Sequence, residues 1–266
     1  MNEMSPPPIR RDAIWLVGAI ALSYPLGLAV DPRFLLPALN ALPAWWVMTR
    51  RLRAGDLKGA IFLMLVFPLA LAVFGTVCFA SWPTPDDLTP RVINGPEYRE
   101  EMFHWIRFAG GTEGNWRLFL PLHLAHLIGF VGVSLLTGSL VSIGGGAILT
   151  NYMNGYVASI HRAGAPLWAT VFFGWQPWAI CRVAAFCILG VVLSEPVLSR
   201  VFRYQAQPWR RVRPFVLAAL GLILADWTLK ATLAPTWGRI LNSAIPVVIQ
   251  PEPDEAHEGH EAHQGQ

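Results

Sequence analysis

Long apolar stretches alternate with short charged segments along the chain. Each stretch is about 15 to 25 residues long, and a helix needs about 20 apolar residues to cross ~30 Å of hydrocarbon. The pattern therefore predicts an all-α, polytopic membrane bundle of about seven spans. The predicted spans are 13–30, 34–49, 59–81, 118–138, 140–160, 166–198 with a break at Pro177, and 214–234.

Two parts of this pattern need closer attention. The segment 34–49 is short and contains two prolines, so it either spans the membrane or re-enters it, which would leave six spans. The apolar region 118–160 is too long for a single span. Its sequence TGSLVSIGGGA supplies glycines for a turn or for close helix packing.

The basic residues predict the orientation of the bundle. Four lie in 50–58, five lie in 200–213 without any acid, and Arg10 and Arg11 lie near the N-terminus. Cytoplasmic loops are enriched in Lys and Arg, and seven spans place these three clusters on one side. We therefore predict that this side is the cytoplasmic side of the plasma (inner) membrane. The loop 82–117 and the C-terminus then lie outside.

The chain divides into five predicted regions. They are a cytoplasmic N-terminus at 1–12, three membrane segments at 13–81, an outer loop at 82–117, a four-span bundle at 118–248, and an acidic, histidine-containing tail at 249–266. Within the outer loop, 98–109 predicts an amphipathic surface helix with Tyr98, Met102, Trp105 and Phe108 or Ala109 on one face. The tail is too polar to bury apolar surface, so it is predicted to be disordered.

Polar side chains gather in the outer halves of four predicted spans. This set comprises His123, His126, Asn151, Tyr152, Asn154, Arg182, Asp226 and Lys230. A charge at mid-membrane costs from ~3 to above 10 kcal/mol, so Arg182 and Asp226 are predicted to pair at their shared depth. The pair either fixes helix register or belongs to a functional site. Lys230, one turn after Asp226, is predicted to snorkel toward the headgroups.

His123 and His126 share one helix face because they are three residues apart. In one interpretation each hydrogen-bonds to a neighbouring helix or to the interface. In another they bind a metal ion with His104, with Glu113 among the loop carboxylates that could complete the shell. Haem is disfavoured, because one helix cannot supply both axial ligands and no other span interior contains a histidine.

The two histidines are predicted to line a polar pocket that opens toward the outer face. An imidazole has both a donor and an acceptor, so two on one face imply a shared polar surface. That surface is expected from Asn151, Tyr152 or Asn154 on the antiparallel span, or from the loop around His104.

Composition and motifs exclude some classes of function but do not identify one. The chain is 54% hydrophobic and 14% charged, and its net charge of +3 lies in the connections, so nucleic acid is not implied. Neither a G-x-x-x-x-G-K-[ST] nor a G-x-G-x-x-G motif occurs, which gives nucleotide binding no support.

The sequence therefore predicts a non-catalytic multi-pass membrane protein in contact with the lipid bilayer. It is expected to be a subunit of a larger assembly of membrane proteins or a transport or permease-like component. The alternative is a membrane metalloenzyme or redox subunit that uses His123 and His126 as ligands for a metal or cofactor. No catalytic residue is assigned.

Overall fold

A computed structural model describes residues 8–30, 33–82 and 91–246. Over these residues the chain forms nine helices and no strand, so the all-α prediction is confirmed. The helices are α1 (Ile9–Ala29), α2 (Leu35–Arg53), α3 (Leu57–Ser81), α4 (Gly95–Phe108), α5 (Trp116–Thr137), α6 (Leu140–Arg162), α7 (Leu167–Phe173), α8 (Pro177–Phe202) and α9 (Trp209–Ala244). The predicted tail 249–266 lies outside the described residues.

Five helices are long and apolar enough to cross a membrane: α1, α3, α5, α8 and α9. They also leave many large apolar side chains exposed, such as Leu22, Leu69, Ile128 and Leu136. Exposed apolar surface on this scale is compatible with contact to a lipid bilayer.

The segment predicted either to span or to re-enter forms one continuous helix, α2. Pro37 occupies its first turn, where a missing N–H is tolerated, and Pro43 lies inside it. The helix packs against α1, α3 and α6 and is about 28 Å long at 1.5 Å per residue.

The chain turns between α5 and α6 at Gly138 and Ser139. Both have a positive φ, +56° and +65°, and Gly138 tolerates this conformation because it lacks a Cβ. The Ser139 hydroxyl donates to the Gly190 carbonyl at 2.7 Å, which ties the turn to α8. The three consecutive glycines 144–146 do not form the turn but lie within α6.

The last helix, α9, is longer than the predicted span 214–234. It has 36 residues, about 54 Å, and it continues through Pro235. Its final turns pack against α4 and α7. Gly238 lies against the Trp105 indole, and the Trp237 indole N–H donates to the Phe173 carbonyl at 2.8 Å. The extension is therefore stabilised by these two short helices.

The predicted amphipathic helix is present as α4, and its buried face differs from the predicted one at the C-terminal end. Met102, Trp105 and Ile106 are buried against α6 and α9, whereas Phe108 is 66% exposed. The prediction for Phe108 was wrong, because the helix ends there and Ala109 adopts a left-handed conformation.

The basic segments meet at one end of the bundle, which we call the arginine end. Arg51 pairs with the buried Asp12 at 2.6 Å, and Arg53 lies 5.0 Å from the Phe202 ring centroid. The Gln207 amide donates to the Gly55 carbonyl at 3.2 Å. Helix α4 packs at the opposite end, which we call the α4 end, where Arg91 reaches the last turn of α1 at Leu28.

Candidate functional site

Arg182 and Asp226 form an ion pair between α8 and α9. The Arg182 Nε and Nη2 atoms lie 3.1 and 3.2 Å from the two carboxylate oxygens, so the pair is bidentate. Asp226 is almost fully buried, and 26% of the Arg182 side chain is exposed. The pairing predicted from equal depth is present, and it spares both helices an isolated buried charge.

His123 contacts the same carboxylate from α5. Its Nδ1 lies 3.5 Å from Asp226 Oδ2, without the geometry of a hydrogen bond, and its side chain is 5% exposed. His126 lines a cavity together with Arg182. The partner of His123 is thus a carboxylate on α9 and not the polar surface of α6 that the sequence suggested.

A second buried ion pair joins Lys230 to Glu113. The Lys230 Nζ lies 2.7 Å from Glu113 Oε1, and the Trp178 indole N–H donates to Glu113 Oε2 at 3.3 Å. The ammonium also lies 4.9 Å from the Phe119 ring centroid, within range of a cation–π interaction. Lys230 is only 2% exposed, so the prediction that it snorkels to the headgroups was wrong.

The structure divides the predicted polar set into two groups. Asn151 and Asn154 do not join the ion pairs; they hydrogen-bond within the core formed by α1, α2, α3 and α6. Tyr24 donates to Asn151 Oδ1 at 2.7 Å, and Asn151 Nδ2 donates to Asn40 Oδ1 at 2.9 Å. Asn154 Nδ2 donates to the Leu71 carbonyl at 2.9 Å. These buried amides are satisfied, as a structural network requires.

Tyr152 belongs to the α4 end of the site. Its ring lies 4.4 Å from that of Tyr98 on α4, and both tyrosines line the cavity. Burial, together with the nearby Glu113 carboxylate, raises the pKa of Tyr98 well above its ordinary value. The Tyr98 phenol therefore stays protonated at neutral pH and can donate a hydrogen bond.

The proposed metal ligands do not come together as a set. His104 is exposed on α4, with its ring tilted against that of Phe108 at a centroid distance of 5.0 Å, whereas His123 faces Asp226. Among the described residues, no group of three or more His, Cys, Asp or Glu side chains has the arrangement that holds a metal ion.

An interhelical cavity of about 540 Å³ adjoins the ion pairs. It follows α8 from Trp178 to Gly190, a length of about 18 Å. Most of its polar groups lie toward the α4 end, and the remainder of its wall is mainly apolar, apart from Ser142 and Thr150. The polar group comprises Tyr98, Glu113, His126, Tyr152, Gln176 and Arg182. A site of this volume, apolar with a few polar groups, is typical of small-molecule binding.

Small residues keep this space open. Gly129 of α5 and Gly145 and Gly146 of α6 all line the cavity, and a Cβ added at any of them meets no atom within 4 Å. Val141 and Leu149 line it as well and are 57% and 36% exposed. The wall between α5 and α6 therefore opens toward the surface of the bundle.

Sequence reasoning missed several residues that the fold brings to this site. Glu113 was considered only as a metal ligand from a loop, yet it neutralises Lys230. Trp178 was not among the predicted site residues, although it is buried and its indole N–H donates to Glu113. Asp226 lies one turn before Lys230 but is already predicted to pair with Arg182. Two buried cations with a single carboxylate between them were therefore the signal that could have indicated a second carboxylate from the loop.

Comparison with protein-family models, curated proteins and solved structures finds no significant match to the chain.

Proposed function

We propose that this protein is a seven-span, non-catalytic membrane protein that binds an amphiphilic molecule from the lipid phase, as a transport-like component does. The spans are α1, α2, α3, α5, α6, α8 and α9. The cavity between α5, α6 and α8 is the observation that carries this proposal. Its apolar length suits a hydrocarbon tail, and the ion pairs at its α4 end suit a polar head.

The arginine end supports the proposed orientation. Contacts among Asp12, Arg51, Arg53, Phe202 and Gln207 bring the basic segments to the same end of the bundle, and the positive-inside rule favours the cytoplasmic side for segments rich in Lys and Arg. In this arrangement the α4 end and the C-terminus face outward from a plasma (inner) membrane. The polar head of a bound amphiphile then lies toward the outer leaflet.

This orientation is tested by labelling single cysteines in intact cells with a membrane-impermeant maleimide. A cysteine at the exposed residue 97 should react from outside, and one at the exposed residue 54 should react only after permeabilisation. Reaction of both from the same side contradicts the orientation.

Membership of a larger membrane assembly is the second candidate function. Helix α5 favours it, because little of its apolar window is buried and Ile128 and Leu136 are 71% and 81% exposed. The metalloenzyme alternative has less support, because His123 faces Asp226 and the three predicted histidine ligands do not form one group.

The proposed binding activity is tested with a photoreactive, uncharged fatty alcohol on protein in phosphatidylcholine nanodiscs. We expect saturable labelling that excess unlabelled alcohol displaces. The variant Gly129→Leu fills the cavity and should abolish the saturable fraction. The matched control is Gly132→Leu, on the same helix, where an added Cβ also meets no atom and which does not line the cavity. Equal labelling of both variants contradicts the proposal.

A further inference from the structure

We infer that the cavity selects an uncharged amphiphile whose polar head carries acceptor oxygens, such as a ketone or an ester carbonyl. This inference rests on the proposed binding function and names the chemical class of its ligand. It is carried by the unused donors of Arg182 and by the charge balance around them.

Arg182 has N–H donors that no described residue of the protein accepts. A guanidinium carries five N–H groups, and the bidentate contact with Asp226 occupies the Nε edge. Within the described residues the Nη1 group makes no hydrogen bond, and the partly exposed side chain lines the cavity. An arginine edge at a cavity wall matches acceptor oxygens and offers them two donors at once.

The charges around this edge are already balanced. Arg182 is neutralised by Asp226, and Lys230 is neutralised by Glu113. A negatively charged head would enter a site with two carboxylates and no unmatched cation among the described residues. Moving such a charge out of water is costly without a counter-ion, whereas a neutral carbonyl has no such cost.

The polar groups next to Arg182 also suit an uncharged head with acceptor oxygens. The Tyr98 and Tyr152 hydroxyls lie at the α4 end of the cavity, and each is a donor as well as an acceptor. Gln176 also lines the cavity, and its buried Nε2 has no hydrogen bond of normal geometry. Arg182 and Gln176 thus both offer hydrogen-bond donors where the head would lie, while Phe67, Phe130 and Phe186 line the region of the tail.

Competition against the photoreactive alcohol in nanodiscs shows which polar head groups the cavity binds most tightly. Dioctanoylglycerol and dioctanoylphosphatidate have the same tails, and only the second is anionic. A decyl-substituted benzoquinone carries ring ketones in place of esters and so distinguishes these two neutral sources. We expect dioctanoylglycerol, the quinone or both to displace the alcohol at a mole fraction at least tenfold below that required of the phosphatidate.

Two variants test the role of the arginine edge. Arg182→Lys keeps the charge opposite Asp226 but removes the flat array of donors, and it should weaken displacement by the neutral competitor about tenfold, or ~1.4 kcal/mol. Arg182→Gln combined with Asp226→Asn removes both charges together, so that neither partner is left as a buried, unpaired charge. This double variant should show the same loss.

Tighter binding of the phosphatidate, or unchanged affinity in both variants, overturns the uncharged class while leaving the binding function intact. Absence of saturable labelling by the alcohol itself, or labelling insensitive to Gly129→Leu, overturns the binding function instead. The two failures are therefore distinguishable.

Discussion

Removing the charge of Glu113 is expected to destabilise the protein strongly. The change Glu113→Gln keeps the size and shape of the side chain but leaves the Lys230 ammonium without its carboxylate. Lys230 is 2% exposed, and the nearby Asp226 is already paired with Arg182. Among the residues that the structure describes, no second carboxylate is thus free to replace Glu113.

The size of the effect follows from these contacts. Breaking one side of a buried ion pair costs ~3–5 kcal/mol, because the remaining charge is uncompensated. A glutamine has only one acceptor oxygen, so either Lys230 or Trp178 also loses its acceptor, which adds ~1 kcal/mol. The sum is a large part of the ~5–15 kcal/mol typical of a folded protein.

The assay is the free energy of unfolding in mixed micelles, titrated with a denaturing detergent. Glu101→Gln is the matched control, since Glu101 is exposed and should lose less than ~1 kcal/mol. The double variant Glu113→Gln with Lys230→Met should regain most of the loss, because no unpaired charge remains. If Glu113→Gln is as mild as Glu101→Gln, the buried pair does not exist as described.

Two further variants test the core of the bundle. Exchanging the charges of Arg182 and Asp226 should preserve more folded protein than replacing either residue by Ala, measured by detergent-resistant monomer; equal damage refutes the pairing. Gly75→Ala should destabilise the protein by ~1–3 kcal/mol in a thermal unfolding assay, because the added methyl overlaps the Asn154 amide. The control is Gly155→Ala on α6, where the added methyl meets no atom, and it should be neutral or stabilising in that assay.

The sequence alone was sufficient to predict those features that follow from a single energetic cost or from a single residue. Charged residues inside apolar helices must find partners, so equal depth was enough to pair Arg182 with Asp226. The helix break at Pro177 and the turn at Gly138 follow from backbone chemistry that a single residue carries.

Other features depend on how helices pack, which helix periodicity does not encode. Periodicity places Asn151 and Asn154 on one face of α6 and Tyr152 on another, but it does not say that the first face meets α1 and α3 and the second meets α4. The cavity exists because Gly129 of α5 lies close to Gly145 and Gly146 of α6. No property of either segment alone predicts that meeting.

The most direct test of the central claim is a map of where a lipid-phase amphiphile is bound. The photoreactive group is placed at the tail end of the uncharged alcohol, and the labelled positions are read by tandem mass spectrometry. The account predicts saturable labelling of cavity residues such as Val133 on α5, Ile148 on α6 and Phe186 on α8. Labelling confined to outward apolar positions such as Leu22 and Leu69, without saturation, would contradict it.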